Sequence, residues 1–259
     1  MRNSVLTILL GTLLFLSCHN SNPQNDKSQD TTVFELSEST IVSSLEDVKV
    51  SELTVVVEDV ILFPSTYRIQ SSTELKDKLA SAKWKEIYKK NGVYQIADAI
   101  YSLSKISEDP CSGLPAQQLQ STNNALLLFA NPKINDSILD TVAFTDALIK
   151  PNAPFHFTFH DQKFKLQAYG IEFYSANGSN PKGDYTLKLF SDTHPDGLTL
   201  IHQTEYNDTC TELVMITDLD KDGLPDFIFS SPRDYEEERF LIILSSDKTT
   251  YMGDRQFDC

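Results

Sequence analysis

A chain of 259 residues with 22 basic and 37 acidic side chains carries a formal net charge of −15. That balance argues against nucleic acid and anionic lipid surfaces as partners, and it is compatible with cation binding. Hydrophobic residues make up 40% of the chain, enough for the core of one large domain or two small ones, and nine glycines are few for a nucleotide-binding enzyme.

Residues 1–17 read as an export signal. Arg2 supplies the positive charge, 5–16 form an apolar run too short to span a bilayer, and Ser17 is a small residue before Cys18. This start resembles a bacterial lipoprotein signal, although Phe15 stands where Leu is usual and Leu16 where a smaller residue is usual. The resemblance implies that Cys18 becomes the lipidated first residue of a protein anchored in the bacterial cell envelope, at the outer membrane. The other reading is an ordinary secretory signal that contains a cysteine. No later stretch approaches about 18 apolar residues, so no membrane span is expected. Residues 18–32, dominated by Asn, Ser, Gln, Asp, Pro and Lys, predict a disordered tether, because they cannot bury enough surface to offset the entropy of ordering.

Beyond the tether the expected class is α+β, mainly β: a smaller N-terminal α+β portion over 33–150, and a C-terminal β portion over 151–259. Residues 48–63 carry β-branched residues along their whole length and end at Pro64, which predicts a strand. Ser71 and Glu74 fit a capping box, and Leu75, Leu79, Ala82 and Ile87 or Tyr88 share one face. A helix closing at Asn91-Gly92 follows from this, with Trp84 on it as a packing anchor. Residues 94–106 fit helix or strand equally, 109–113 form a turn, 125–129 a short buried strand, and 141–149 stay unassigned.

The second half alternates. Phe155, Phe157 and Phe159 interleave with His156, Thr158 and His160, and Phe164, Leu166 and Ala168 repeat the pattern after a turn at 161–163. Tyr185, Leu187 and Leu189 alternate again, and Asp196-Gly197 marks another turn. With 212–216, 227–229 and 239–244 this makes an antiparallel meander, hence a β-sandwich or an open barrel-like sheet.

One stretch demands a chemical explanation. Asp218, Asp220 and Asp222 alternate, Gly223 follows, and Asp226 adds a fourth carboxylate. A short loop with oxygens at positions 1, 3, 5 and 9 and a carbonyl at 7, here that of Leu224, can surround calcium, which takes roughly six to eight oxygens. Position 12 is Phe229 rather than the bidentate Glu of helix–loop–helix calcium loops, and both flanks read as strands. The D-x-D-x-D-G-x-x-D loop between strands resembles the FG-GAP and VCBS-type repeats. That resemblance covers 211–246, occurs once, and so implies the loop and its strands, not a propeller. By it, Asp218, Asp220, Asp222 and Asp226 would be side-chain ligands of a structural calcium. The alternative is an acidic turn with no ion.

Other candidates are weaker. His156 and His160 would share a strand face, but zinc needs a third ligand. The acidic run 234–239 would either complete the calcium shell or serve as a solvated connection. Cys111, Cys210 and Cys259 allow three pairings, and Cys111 with Cys259 would secure the last residue to the N-terminal portion. No G-x-S-x-G, H-E-x-x-H or phosphate-binding glycine loop is present. The expectation is a lipid-anchored envelope protein with a structural calcium loop, used for binding or support rather than catalysis. A surface-attached hydrolase acting on glycan or peptide is the alternative. A protein- or glycan-binding module would show exposed aromatics such as Tyr169, Tyr174 or Tyr235.

Overall fold

The computed structural model describes residues 55–151, 153–170, 185–203, 211–234, 236–247 and 249–257. The export signal, Cys18, the tether, Tyr174, Cys210, Tyr235 and Cys259 lie outside them.

The β-branched run expected as one strand is broken. β1 (Val56–Val57) and β2 (Ile61–Leu62) are separated by Asp59, which takes a left-handed φ of 64°. After β3 (Thr66–Arg68) comes α1 (Glu74–Ala80), much shorter than expected. Half of its capping box forms, with Glu74 Oε2 accepting the Ser71 N–H at 3.4 Å and the Gln70 N–H at 2.6 Å. The rest of the expected helix is a hairpin of β4 (Lys85–Lys90) and β5 (Val93–Asp98). Asn91 and Gly92 are its two-residue turn, with φ of 53° and 85°. Two consecutive positive φ values suit the right-handed twist of paired strands, which makes Asn-Gly a hairpin signal as well as a helix stop. Trp84 is buried just before β4 and donates from Nε1 to the Leu79 carbonyl at 3.1 Å, so it is a packing anchor off the helix.

The ambiguous stretch after β5 is extended: β6 (Tyr101–Leu103), β7 (Ser107–Glu108) and β8 (Pro115–Ser121), then β9 (Leu127–Phe129) and β10 (Ser137–Ile138). β11 (Phe155–Phe159) and β12 (Gln162–Gly170) form the expected hairpin, Phe157 opposite Phe164, turning at His160-Asp161. β13 (Tyr185–Ser191) and β14 (His194–Gln203) follow. Asp196-Gly197 is therefore not the turn; it lies inside β14 where the register shifts, a bulge with Gly197 at φ 83°. β15 (Glu212–Thr217), β16 (Asp226–Ser230), β17 (Glu237–Leu244) and β18 (Thr249–Gln256) close the chain.

Among the described residues the strands make four sheets, mostly antiparallel, and the fold is mainly β and sandwich-like. A central sheet runs β1-β18-β17-β16-β15, a second β10-β5-β4-β9-β2, a third β11-β12-β13-β14, and a fourth β3-β8-β6. The central sheet is covered on both faces. Phe227, Phe229, Leu241 and Ile243 pack with Phe157, Phe164, Leu166 and Leu187 of the third sheet. Their neighbours Ile228, Ile242 and Leu244 point the other way, onto Ile61, Ile87, Leu127 and Phe129 of the second. Strands buried on both faces read as unbroken hydrophobic runs, as 227–229 and 240–244 do. The reverse side of the second sheet, through Leu62 and Leu128, meets Leu75 and Leu79 of α1, Trp84 and Leu119. Residues 49–259 cluster as one compact unit. Among the described residues no helix is long and apolar enough to cross a membrane.

Candidate cation site

The loop 218–225 joins β15 to β16 at one end of the central sheet, with Thr217 paired to Asp226 at its base. Its shape is set by its own carboxylates. Asp218 Oδ1 accepts the Asp222 N–H at 3.1 Å and Oδ2 the Gly223 N–H at 3.0 Å, while Asp222 Oδ1 accepts the Leu224 N–H at 2.7 Å. Lys221 and Gly223 both take left-handed φ, 65° and 88°, and fold the middle of the loop back. Leu219 turns inward and is fully buried in the middle core.

Asp218, Asp220 and Asp222 converge, each offering an oxygen within 4.8 Å of the others. Two full charges at that separation repel by roughly 3 kcal/mol at an effective dielectric of about 20. Asp218 is buried and Asp222 exposed. Asp220 Oδ2 accepts from Ser246 Oγ at 2.6 Å, but its Oδ1 is buried with no hydrogen-bond partner. A charged oxygen shut away from water without a donor is costly. Burial raises the Asp222 carboxyl above the usual carboxylate range, and the charges of Asp220 and Asp218 add to the shift against the Leu224 N–H.

Asp226 stands apart from the three. It is fully buried, with Oδ2 accepting the Leu219 N–H at 2.7 Å and Oδ1 the Ser245 N–H at 2.8 Å. Burial pushes its carboxyl up to about 8 in spite of these donors. Asp226 thus ties the base of the loop to the turn after β17, where Ser245 Oγ also donates to the Pro225 carbonyl. Leu224 is partly exposed and held by the Asp222 bond.

The layers on both sides reach the loop. His160 Nδ1 lies 3.3 Å from the Gly223 carbonyl, and Lys221 Nζ lies 3.4 Å from the Ile138 carbonyl of β10. Lys133 pairs with Asp247 at 2.6 Å, beside Ser246, and the charge of Asp220 helps to hold its ammonium in the protonated form. Lys133, Ser245, Ser246 and Asp247 escaped the sequence reading, which weighed His160 only as a zinc candidate with His156. Only strand order reveals them, since β17 lies beside β16 and its turn falls next to the loop.

The remaining candidates do not join this site. His160 sits in a hairpin turn at φ 43° rather than on a strand face with His156. The acidic run lies at the far end of β17, since Ser230, not Asp226, pairs near it. There Arg233 donates to Glu237 from Nε at 2.9 Å and from Nη2, and Arg255 Nε donates to Glu238 at 2.6 Å. These carboxylates are neutralised in place and do not complete a shell at the loop. Cys111 is disulfide-bonded, and its expected partner Cys259 lies outside the described residues. No protein-family model, no curated protein and no solved structure matches this chain.

Proposed function

We propose that Asp218, Asp220 and Asp222 hold a calcium ion, and that this ion stabilises the fold of a lipid-anchored cell-envelope protein whose role is binding or support. One observation carries the cation reading: three carboxylates converge while one of their oxygens, Asp220 Oδ1, is buried without a donor. Oxygen-only ligands from a short loop favour a hard cation, and calcium tolerates such flexible shells better than magnesium. On the FG-GAP and VCBS resemblance the Leu224 carbonyl would add a further oxygen, while Asp226, outside the converging three, braces the base of the loop through the Leu219 and Ser245 N–H groups.

A structural role follows from what the loop touches. Ordering it fixes the contacts to His160, Ile138 and the turn after β17, and so joins the central sheet to the layers on both sides. An ion bound only by the folded state adds about 2.7 kcal/mol at a hundredfold excess over Kd. Thermal melting of the full chain in calcium and in chelator tests this: a higher Tm in calcium is expected, and superimposed curves would remove the stabilising role. The envelope location rests on residues 1–18 and has its own test. Cys18→Ser should move the protein from the membrane fraction to the soluble fraction, and an unchanged distribution would refute the anchor.

A further inference from the structure

In so acidic a chain, β11, β12 and β13 contain no Asp or Glu. β14 contributes one, Asp196 at its bulge. One face of this four-stranded sheet is committed to the core through Phe157, Phe164, Leu166 and Leu187. The opposite face carries His156, Lys163, Lys165, Lys188 and His202, together with Tyr169, which is 44% exposed. Strand register makes them a continuous field. His156 lies opposite Lys165, Lys165 opposite Phe190, Tyr169 opposite Thr186, and Thr186 opposite His202. Alternate residues stand about 7 Å apart along a strand and neighbouring strands about 5 Å apart.

Among the described residues no carboxylate pairs with Lys163, Lys165 or Lys188, whereas six other cationic side chains form ion pairs. Lys165 instead rests over the Phe190 ring, its Nζ 4.0 Å from the centroid. A sheet face with one exposed and two half-exposed lysines and an exposed tyrosine, on a molecule of the opposite overall sign, is complementary to an anion.

From this charge pattern we infer that the solvent face of β11–β14 binds an anionic polysaccharide. Sulfate or carboxylate groups pair with the three lysines, and the apolar face of a sugar ring lies on Tyr169. A folded acidic protein fits less well, because interface cores exclude lysine and need more apolar area than this face offers. Single-stranded nucleic acid fits less well because its successive bases stack on several aromatic side chains, and the exposed large aromatic on this face is Tyr169.

The test uses the full chain in constant calcium, with dextran sulfate as probe and unmodified dextran, polyglutamate and oligothymidylate as comparators. Expected is binding of dextran sulfate that weakens as salt rises, no binding of dextran, and weaker binding of the two other polyanions. The triple variant Lys163→Glu, Lys165→Glu, Lys188→Glu should lose binding on the order of tenfold or more. Should that variant fail to fold by circular dichroism, the triple Lys→Gln variant gives the same comparison. Tyr169→Ala, which leaves the charge unchanged, should also weaken binding. Absence of dextran sulfate binding by the wild type, indifference to the lysine variants or to Tyr169→Ala, or equal affinity for polyglutamate or oligothymidylate would each overturn the proposal.

Discussion

Asp220 is the residue at which the two readings of the acidic loop part most sharply. Without a cation it contributes a buried, unpartnered oxygen and a charge that adds to the effect of burial in raising Asp222, so Asp220→Asn relieves repulsion. With a cation the same change removes a ligand. The variant should therefore melt at or above wild type in chelator and below it in calcium, a reversal that an ion-free acidic turn does not produce. Asp226→Ala behaves differently: it strands the N–H groups of Leu219 and Ser245 in both conditions, at about 1–3 kcal/mol for each unpaired donor. Chemical denaturation with and without calcium checks both. At the turn 109–113, the backbone and hydroxyl donors of Ser112 hold the Asp109 carboxyl below its usual range, with Cys111 N–H and Arg68 adding. A carboxylate depressed in the folded state stabilises above its unfolded pKa, near 4, and that contribution is lost as pH falls through the lower folded value. Urea midpoints of wild type and Asp109→Asn should differ at pH 6 and draw together as pH falls below the ordinary carboxylate range. A gap that persists in acid would contradict this. The motif spacing made the three converging aspartates legible; it did not make Asp226 legible as a brace, because that role depends on Ser245, nineteen positions away.

At the scale of elements, alternation was a reliable guide wherever one face meets water, as in β11 through β13. It misled in β4, where Glu86, Ile87 and Tyr88 are all buried. Glu86 is a buried carboxylate accepting from Ser121 Oγ at 2.7 Å, so its polarity did not mark an exposed position. Removing that alternation left Leu75, Leu79, Ala82 and Ile87 in apparent helical phase, and the Asn91-Gly92 hairpin turn passed for a helix stop. Two glycines separate conformational strain from collision. At Gly92 a Cβ meets nothing within 4 Å, but φ is 85°, so Gly92→Ala should cost about 1 kcal/mol through the backbone alone. Gly253 lacks the positive φ, yet its added Cβ would lie 2.7 Å from the Ile61 carbonyl oxygen, where β18 crosses the second sheet. Gly253→Ala should cost more, about 1–3 kcal/mol, because a backbone atom cannot rotate away. Equal midpoints for the two variants would contradict that ranking.

At the scale of the molecule, the central sheet has two buried faces, so its cores cannot fail separately. Phe227 belongs to one and Ile228 to the other, and they are adjacent on β16. The lone tryptophan, Trp84, reports from the third cluster, on the far side of the second sheet. Tryptophan fluorescence and far-UV circular dichroism should follow one unfolding transition, shifted together by calcium. Layer order was not legible in the chain, since it depends on which sheet covers which, and hydrophobic runs in β16 and β17 announce only that both faces are covered. The most direct measurement is calorimetric titration of calcium into the chelator-stripped full chain, beside the Asp218→Ala, Asp220→Asn and Asp222→Ala variants. One equivalent of calcium bound by the wild type, and weakened or lost binding in the three variants, is the expected result. No bound ion at millimolar calcium, or binding that survives all three substitutions, would contradict it.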